Sequence, residues 1–377
     1  MGNRTKLQAV RHELGYSTGT ALRLLAERAA ARNVAIMTPA SLKTKLSRWE
    51  NGHEAVGLAQ YRRLFREVYG RTNAELGFPD DDHVTGPAEE LRARLAAARS
   101  VDAASVHAFR SMIDHMRRLD RQFGAAAQLD QLRAHITQAE NLVMHAPASG
   151  QRAALAGALT EATALAGWQA LDRADLDQAW RSHEQAKHAA REAGAPHLLA
   201  HATAQQAYVL LGLDDAAGAA EQVAHARSTA GGSAPLIRAW LAAAHGEMLA
   251  ADGDRGGALR AFDAAEALLP ADPVDPTLPF LFLGGAHLAR WRGSALAQLG
   301  DGQAIDQLTG ALARLPDSWV RARSGLLVDL AHAHAAAGDR DAAVERAREA
   351  RATARQINSD RQLRRLDRLV LPRGRAA

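Results

Sequence analysis

Leucine and alanine recur at three- and four-residue spacings along almost the whole chain, and the alternation of a half-buried strand is missing. That pattern predicts an all-α protein. Leu7, Val10 and Leu14 mark a first helix closed by Gly15. Ser17 is placed to cap a second, whose buried side includes Ala21, Leu24 and Leu25. Leu58, Tyr61, Leu64, Phe65 and Val68 give a fourth helix ended by Gly70. Thr72 with Glu75 three residues on forms a capping box for a short fifth. The acidic, proline-flanked stretch "PDDDHVTGP" (79–87) reads as a linker. Two or three long helices follow to His145, and "APASG" (146–150) breaks the pattern again.

Beyond that break the chain repeats. "RADLDQA", "GLDDAAGAA", "DGDRGGA", "LGDGQAI" and "AGDRDAA" each separate two helical segments. Their acidic residues Asp175, Asp215, Asp254, Asp301 and Asp339 are 40, 39, 47 and 38 residues apart. The long interval holds the proline-rich insertion "PADPVDPTLP". Five helix–turn–helix units at a near-constant period predict a helical solenoid. Gly246, Gly253, Ala258, Phe262, Ala265 and Pro270 in the third unit resemble the tetratricopeptide pattern. Gly167, Ala179 and Ala186 match in the first unit, and Ala331, Gly338, Ala343 and Ala350 in the fifth. The second matches weakly, after a shift of one residue. The expected layout is an N-terminal helical domain over 1–78, the linker over 79–87, connecting or dimerisation helices over 88–146, and a solenoid with a C-terminal capping helix over 147–377.

Charge changes this picture at one end. Residues 1–78 carry 13 lysines and arginines against six acidic residues, a balance of +7, whereas the remainder balances at −3. Positive charge gathered on one domain of an otherwise slightly acidic chain is the footprint of a nucleic-acid-binding module. The chain has no cysteine, which excludes disulfides and thiolate metal sites. The first ten residues lack the apolar run of a signal peptide. No run of eighteen apolar residues occurs either, so a cytoplasmic protein with no membrane partner is expected.

The segment "TPASLKTKLSRWENG" (38–52) focuses the basic domain. Thr38 can cap a helix with Pro39 at its first position, and Gly52 can end it. Leu42, Leu46 and Trp49 then form one stripe directed at a core. Ala40, Thr44, Ser47 and Asn51 lie opposite, flanked by Lys43 and Arg48. A short helix with a small polar face rimmed by cations fits a DNA major groove. "LSRWENG" resembles the end of the recognition helix in the XRE-type helix-turn-helix family. The whole of 5–78, including "YRRLFREVYGRTNAELGF", is similar to the actinobacterial branch that joins this domain to a tetratricopeptide-like region. That resemblance implies a sequence-specific transcriptional regulator acting on double-stranded DNA. It places Lys43 where the family often has a base-reading glutamine, with Thr44 and Ser47 at further groove-facing positions. It also matches Arg48 to the family's arginine, Glu50 to its structural acid and Gly52 to its terminal glycine. The chain departs from the family in "LRLLAERAAARNVAIMTPASL", which lengthens the connection between the second and third helices by roughly two helical turns. That leaves both Lys43 and Lys45 as candidate base readers.

Catalytic motifs are missing. No GxxxxGK[ST], HExxH or GxSxG occurs, and "GDRGGALR" lacks the ending of a phosphate loop. His332 and His334 are two residues apart, which on a helix directs them to different sides. Neither an enzyme nor a bound cofactor or metal is expected. The family's groove-facing positions, carried onto the five units, select Glu161, Trp168, His201, Tyr208, Trp240, Glu247, His287, Arg290, Ser294 and His332. Aromatic residues are only 5% of the chain yet make up three of these ten. A mixed aromatic and polar lining suits a small-molecule, peptide or protein effector. Asn358 is the repeat region's one asparagine, which disfavours peptide recognition through asparagines. Two functions compete: a homodimeric, signal-responsive DNA-binding regulator, and a scaffold whose solenoid holds a protein partner. The charge split favours the first.

Overall fold

In the computed structural model, residues 5–32, 34–79, 87–124, 128–147, 150–281, 283–284 and 286–372 are described. Among them every regular element is helical. The chain divides into two compact units, residues 1–92 and 93–377, and the division falls within α6 (Pro87–Arg99). Most of the expected linker, residues 80–86, lies outside the described residues, as do 148–149 of the second break.

The first unit contains α1 (Lys6–Glu13), α2 (Thr18–Ala31), α3 (Pro39–Glu50), α4 (Ala59–Tyr69) and the short α5 (Asn73–Leu76). The caps are those of the pattern. Ser17, Thr38 and Thr72 each accept from the backbone N–H three residues on, and Thr72 and Glu75 complete a capping box. Gly15, Gly52, Gly70 and Gly77 take the left-handed conformation after a helix, where only glycine is unstrained. Leu42, Leu46 and Trp49 point into a core with Leu7, Leu25, Tyr61 and Phe65. Two expectations shift. Leu24 is only half-buried, because Ala21, Leu25 and Ala29 form the buried stripe of α2. Leu58 caps α4 and is 59% exposed rather than part of its stripe. The long connection between the second and third helices resolves into extra helix. The alanine run carries α2 on to Ala31, leaving seven residues before α3.

The second unit begins with α7 (Ala103–Phe123) and α8 (Leu129–His145), both packed on α9 (Gly150–Asp172). Five helical hairpins follow: α9 with α10 (Leu176–Glu192), α11 (Pro196–Gly212) with α12 (Ala216–Thr229), and α13 (Pro235–Ala251) with α14 (Arg255–Leu268). The last two pair α15 (Ala286–Gln298) with α16 (Gln303–Arg314), and α17 (Val320–Ala336) with α18 (Arg340–Gln356). A final helix, α19 (Asp360–Asp367), ends the unit.

The recurring acids explain the recurring turns. Asp175, Asp215, Asp254 and Asp339 each cap the second helix of a hairpin through the N–H three residues on. Asp301 accepts from the N–H of Gln303. The residue before each acid is left-handed: Ala174, Asp214, Gly253, Gly300 and Gly338. The acid's own N–H returns to the carbonyl five residues back, as from Asp175 to Ala170 and from Asp339 to His334. A helix end and the next helix start are thus satisfied within six residues.

Small residues let the paired helices cross closely. A Cβ on Gly167 would lie 2.7 Å from the His183 ring, and one on Gly246 2.8 Å from Phe262. His183 is fully buried, and neither ring nitrogen has a hydrogen-bond partner among the described residues. Burial, with Lys187 nearby, lowers its pKa to about 3. The folded state therefore resists a proton that the unfolded chain takes up below about pH 6.5, so stability falls as pH drops from there toward 3. The expected slope from this residue is about 1.4 kcal/mol per pH unit. Denaturant midpoints between pH 7 and 5 check it, with His183→Leu expected to flatten the dependence.

The solenoid does not stay open. Its last hairpin and α19 return to the first helices: α17 packs on α7, and α19 on α9. Arg321 of α17 pairs with Asp120 of α7 at 2.7 Å and with Asp172 of α9 at 2.5 Å. Ser359 donates to the other Asp172 oxygen at 2.6 Å. Gly124 meets the Ile357 carbonyl so closely that a Cβ would sit 2.1 Å from its oxygen. The last hairpin and α19 consequently add further walls to the predicted concave groove.

Candidate functional site

On α3 the exposed side carries Lys43, Thr44, Ser47 and Arg48, opposite the buried stripe. The helix is anchored from behind. Arg11 of α1 donates two hydrogen bonds to Glu50, at 2.5 and 2.8 Å, and a third to the Tyr16 carbonyl at 2.7 Å. Both members of the pair are buried. The Glu50 hydrogen bond raises the pKa of the guanidinium against the effect of burial. The two candidate lysines have different surroundings. Lys45 is half-buried and donates to Glu54, which also lies 3.6 Å from Arg48. Lys43 is exposed and makes no ion pair among the described residues. The Thr44 hydroxyl donates to the Ala40 carbonyl at 3.2 Å, and Asn51 donates to the Ser47 carbonyl at 2.7 Å.

The second unit contains an open-mouthed cavity of about 830 Å³. Eight of the ten predicted groove residues line it: Trp168, Tyr208, Trp240, Glu247, His287, Arg290, Ser294 and His332. Two do not. Glu161 lies beneath α7, where Arg117 and Arg110 pair with it at 3.4 and 3.6 Å. Its position along α9 repeats the groove register, but α7 covers that end of the helix. His201 sits behind the wall, its ring 4.9 Å from that of Trp240 and 4.5 Å from that of Phe280.

The wall is a sequence of ring contacts. Trp168 meets Tyr208 edge-on at 5.7 Å, and Trp240 meets Trp291 at 5.7 Å. The His287 and Trp319 rings are 4.8 Å apart. Four of the chain's six tryptophans border the cavity. The proline-rich insertion brings Phe280 to its rim, while Leu278, Leu281 and Leu283 bury themselves in the core and fix the loop. Tyr208 donates to Glu247 at 2.7 Å, and burial followed by that carboxylate pushes its pKa well up. Burial, with Arg290 and Arg121 nearby, holds His287 down at about 4, so it is neutral at pH 7.

Sequence reasoning missed much of the basic lining. Arg361, Arg364, Arg365 and Arg368 all border the cavity from α19 and the residue after it. Their spacing puts them on one helical face, which was the available signal. The Arg361 guanidinium lies 5.5 Å from the Trp168 ring centre and 5.8 Å from that of Tyr208. Arg365 pairs with Asp329 at 2.5 Å, and Ser294 is bonded to the same carboxylate. His332 and His334 diverge, toward the Arg365 carbonyl and Asp339 respectively. Among the described residues no group of three or more His, Asp or Glu side chains is placed to hold a metal ion. No described helix is long and apolar enough to cross a membrane.

No family model and no curated protein matches the chain. Among solved structures, it is similar to the crystal structure of BtubC (BKLC) from P. vanneervenii. The two are 17% identical with a TM-score of 0.41 over 67% of this chain and 95% of that one.

Proposed function

We propose that the protein is a sequence-specific DNA-binding transcriptional regulator whose helical second unit senses an effector. The observation that carries this reading is the exposed face of α3. A helix held by a buried ion pair presents Lys43, Thr44, Ser47 and Arg48 outward, within residues 1–78, whose charges balance at +7. Lys43 is the better base reader, because Lys45 is engaged by Glu54. Arg48 is suited to a phosphate, which would replace its long contact with Glu54. The volume of the cavity, about 830 Å³, favours a small effector over the alternative of a scaffold gripping a protein partner.

Selection of genomic fragments by the purified protein tests the reading. Lys43→Ala and Thr44→Ala should relax preference at single positions, costing about 1–3 kcal/mol at the base concerned. Arg48→Ala should weaken all sequences alike and flatten the salt dependence. Glu54→Gln should act in the opposite sense, strengthening binding to every sequence. Selection with no sequence preference, or shifts unchanged by removing residues 1–78, would sink the proposal.

A single recognition helix covers one half-site, so the active form is proposed to be a homodimer on paired half-sites. Light scattering of the complex should give the mass of the DNA fragment plus twice 40.3 kDa. A monomer both free and bound would overturn it.

A further inference from the structure

The cavity has an imbalance of charge. Seven arginines border it against three carboxylates. Each carboxylate is engaged: Asp172 by Arg321 and Ser359, Asp329 by Arg365 and Ser294, and Glu247 by the Tyr208 hydroxyl. Arg321 and Arg365 are the arginines in those pairs, and Arg368 pairs with Asp214. Of the other four, Arg364 is exposed and Arg121 lies 5.5 Å from the Trp319 ring centre, whereas Arg290 and Arg361 make no ion pair among the described residues. The buried Arg290 Nε has no hydrogen-bond acceptor there either. Both side chains are surrounded by protein except where they open onto the cavity, and burial lowers the pKa of each. Glu247 near both, with Asp329 near Arg290 and Asp172 near Arg361, opposes that lowering from beyond ion-pair distance, and a bound anion in direct contact would offset more of the cost of burying the two guanidiniums.

The second observation is the shape of the surroundings. Arg361 is held over the rings of Trp168 and Tyr208, and Trp240 and Trp291 stand on the neighbouring hairpins. Flat faces of this kind take a flat ligand, by offset or edge-to-face contact. The volume is within the range of about 300–1,000 Å³ that small-molecule sites occupy.

We propose that the cavity binds a small planar anion, an aromatic ring carrying a carboxylate or comparable negative group. The ring lies among the tryptophans and the charge lies between Arg290 and Arg361. This rests on the reading of the second unit as the sensor and names the class of its effector. Ligand binding also couples the ends of the solenoid. Arg361 belongs to α19, which packs on α9, whereas Arg290 belongs to α15, so an anion between them ties the fourth hairpin to the closing helix.

The test uses the full-length protein and four probes: 2-naphthoate, the neutral 2-naphthylmethanol, the cationic 2-naphthylmethylammonium and the non-aromatic cyclohexanecarboxylate. Calorimetry and tryptophan fluorescence report binding. The expected order has 2-naphthoate at least about tenfold tighter than each of the others, a difference of about 1.4 kcal/mol. Arg361→Met and Arg290→Met should each remove that preference, weakening 2-naphthoate at least about tenfold more than the neutral probe. If either variant fails to fold, the wild-type series still decides. Equal or tighter binding of the neutral or cationic probe overturns the proposal, as does no saturable binding of 2-naphthoate at millimolar concentrations. A parallel arm measures affinity for a selected DNA fragment with and without 2-naphthoate and with and without cell extract. Anion-selective binding with DNA affinity unmoved in both conditions sinks the sensor reading and leaves the ligand class standing. DNA affinity moved by extract, with no anion preference in the series, does the reverse.

Discussion

Glu50→Ala should unfold the first unit or come close to it. The substitution leaves the Arg11 guanidinium buried, with the Tyr16 carbonyl as its remaining strong acceptor. Removing one partner of a buried pair costs about 3–5 kcal/mol, a large share of the roughly 5–15 kcal/mol that holds a domain together. The loss has a specific geometry. Thr5 donates to the Glu50 carbonyl at 2.8 Å and Arg11 holds its carboxylate, so the end of α3 is fixed to α1 twice. Without the carboxylate, the helix proposed to meet DNA loses its rear anchor before its exposed face is altered. Chemical denaturation should show the midpoint of a first transition falling while that of the second unit stays. The double variant Arg11→Met, Glu50→Leu discriminates. If the pair chiefly avoids an uncompensated charge, the double variant recovers most of the lost stability. A Glu50→Ala protein as stable as wild type would show that the pair carries little.

That pair also marks where sequence reasoning stopped. Glu50 could be read as a structural acid from its place at the end of the helix. Its partner, 39 residues earlier in α1, could not, because nothing local connects the two. The same boundary runs through the second unit. The acids at 175, 215, 254, 301 and 339 were legible because a helix stop and the next helix start are built from neighbours in sequence. The groove register was legible in eight of its ten positions because one face of each first helix repeats along the stack. Glu161 failed because α7, from outside the repeats, covers its end of α9. Trp319, Phe280 and Arg361 went unseen because two come from segments preceding a first helix and one from the closing helix. None obeys the repeat. Closure itself rests on contacts such as Ser359 with Asp172, 187 residues apart, and no periodicity encodes those.

Arg321→Met is expected to open this closure. Arg321 stands between Asp120 and Asp172, both buried, and is the cation shared by α7, α9 and α17. Burial works against its charge, but the two carboxylates outweigh it and raise its pKa. Asp120 already has a raised pKa, mainly through burial, with Arg321 opposing the shift. Methionine fills similar space and removes that opposition, leaving two carboxylates facing each other out of water. The cost should be about 3–5 kcal/mol at neutral pH. It should also depend on pH in a direction that simple loss of packing would not produce. A carboxyl whose pKa is raised in the folded state contributes stability below its unfolded value, and that stability is lost as pH rises through the folded value. In the variant one of the two acids can escape the clash by taking up a proton. The gap between wild type and Arg321→Met should therefore narrow from pH 8 to pH 5, even as buried histidines such as His183 lower the stability of both proteins. Hydrogen exchange should rise first at the C-terminal end of α7 and in α19, where the ring is joined. A gap that stays constant across that pH range would mean that the arginine serves as packing and that the closure is held elsewhere.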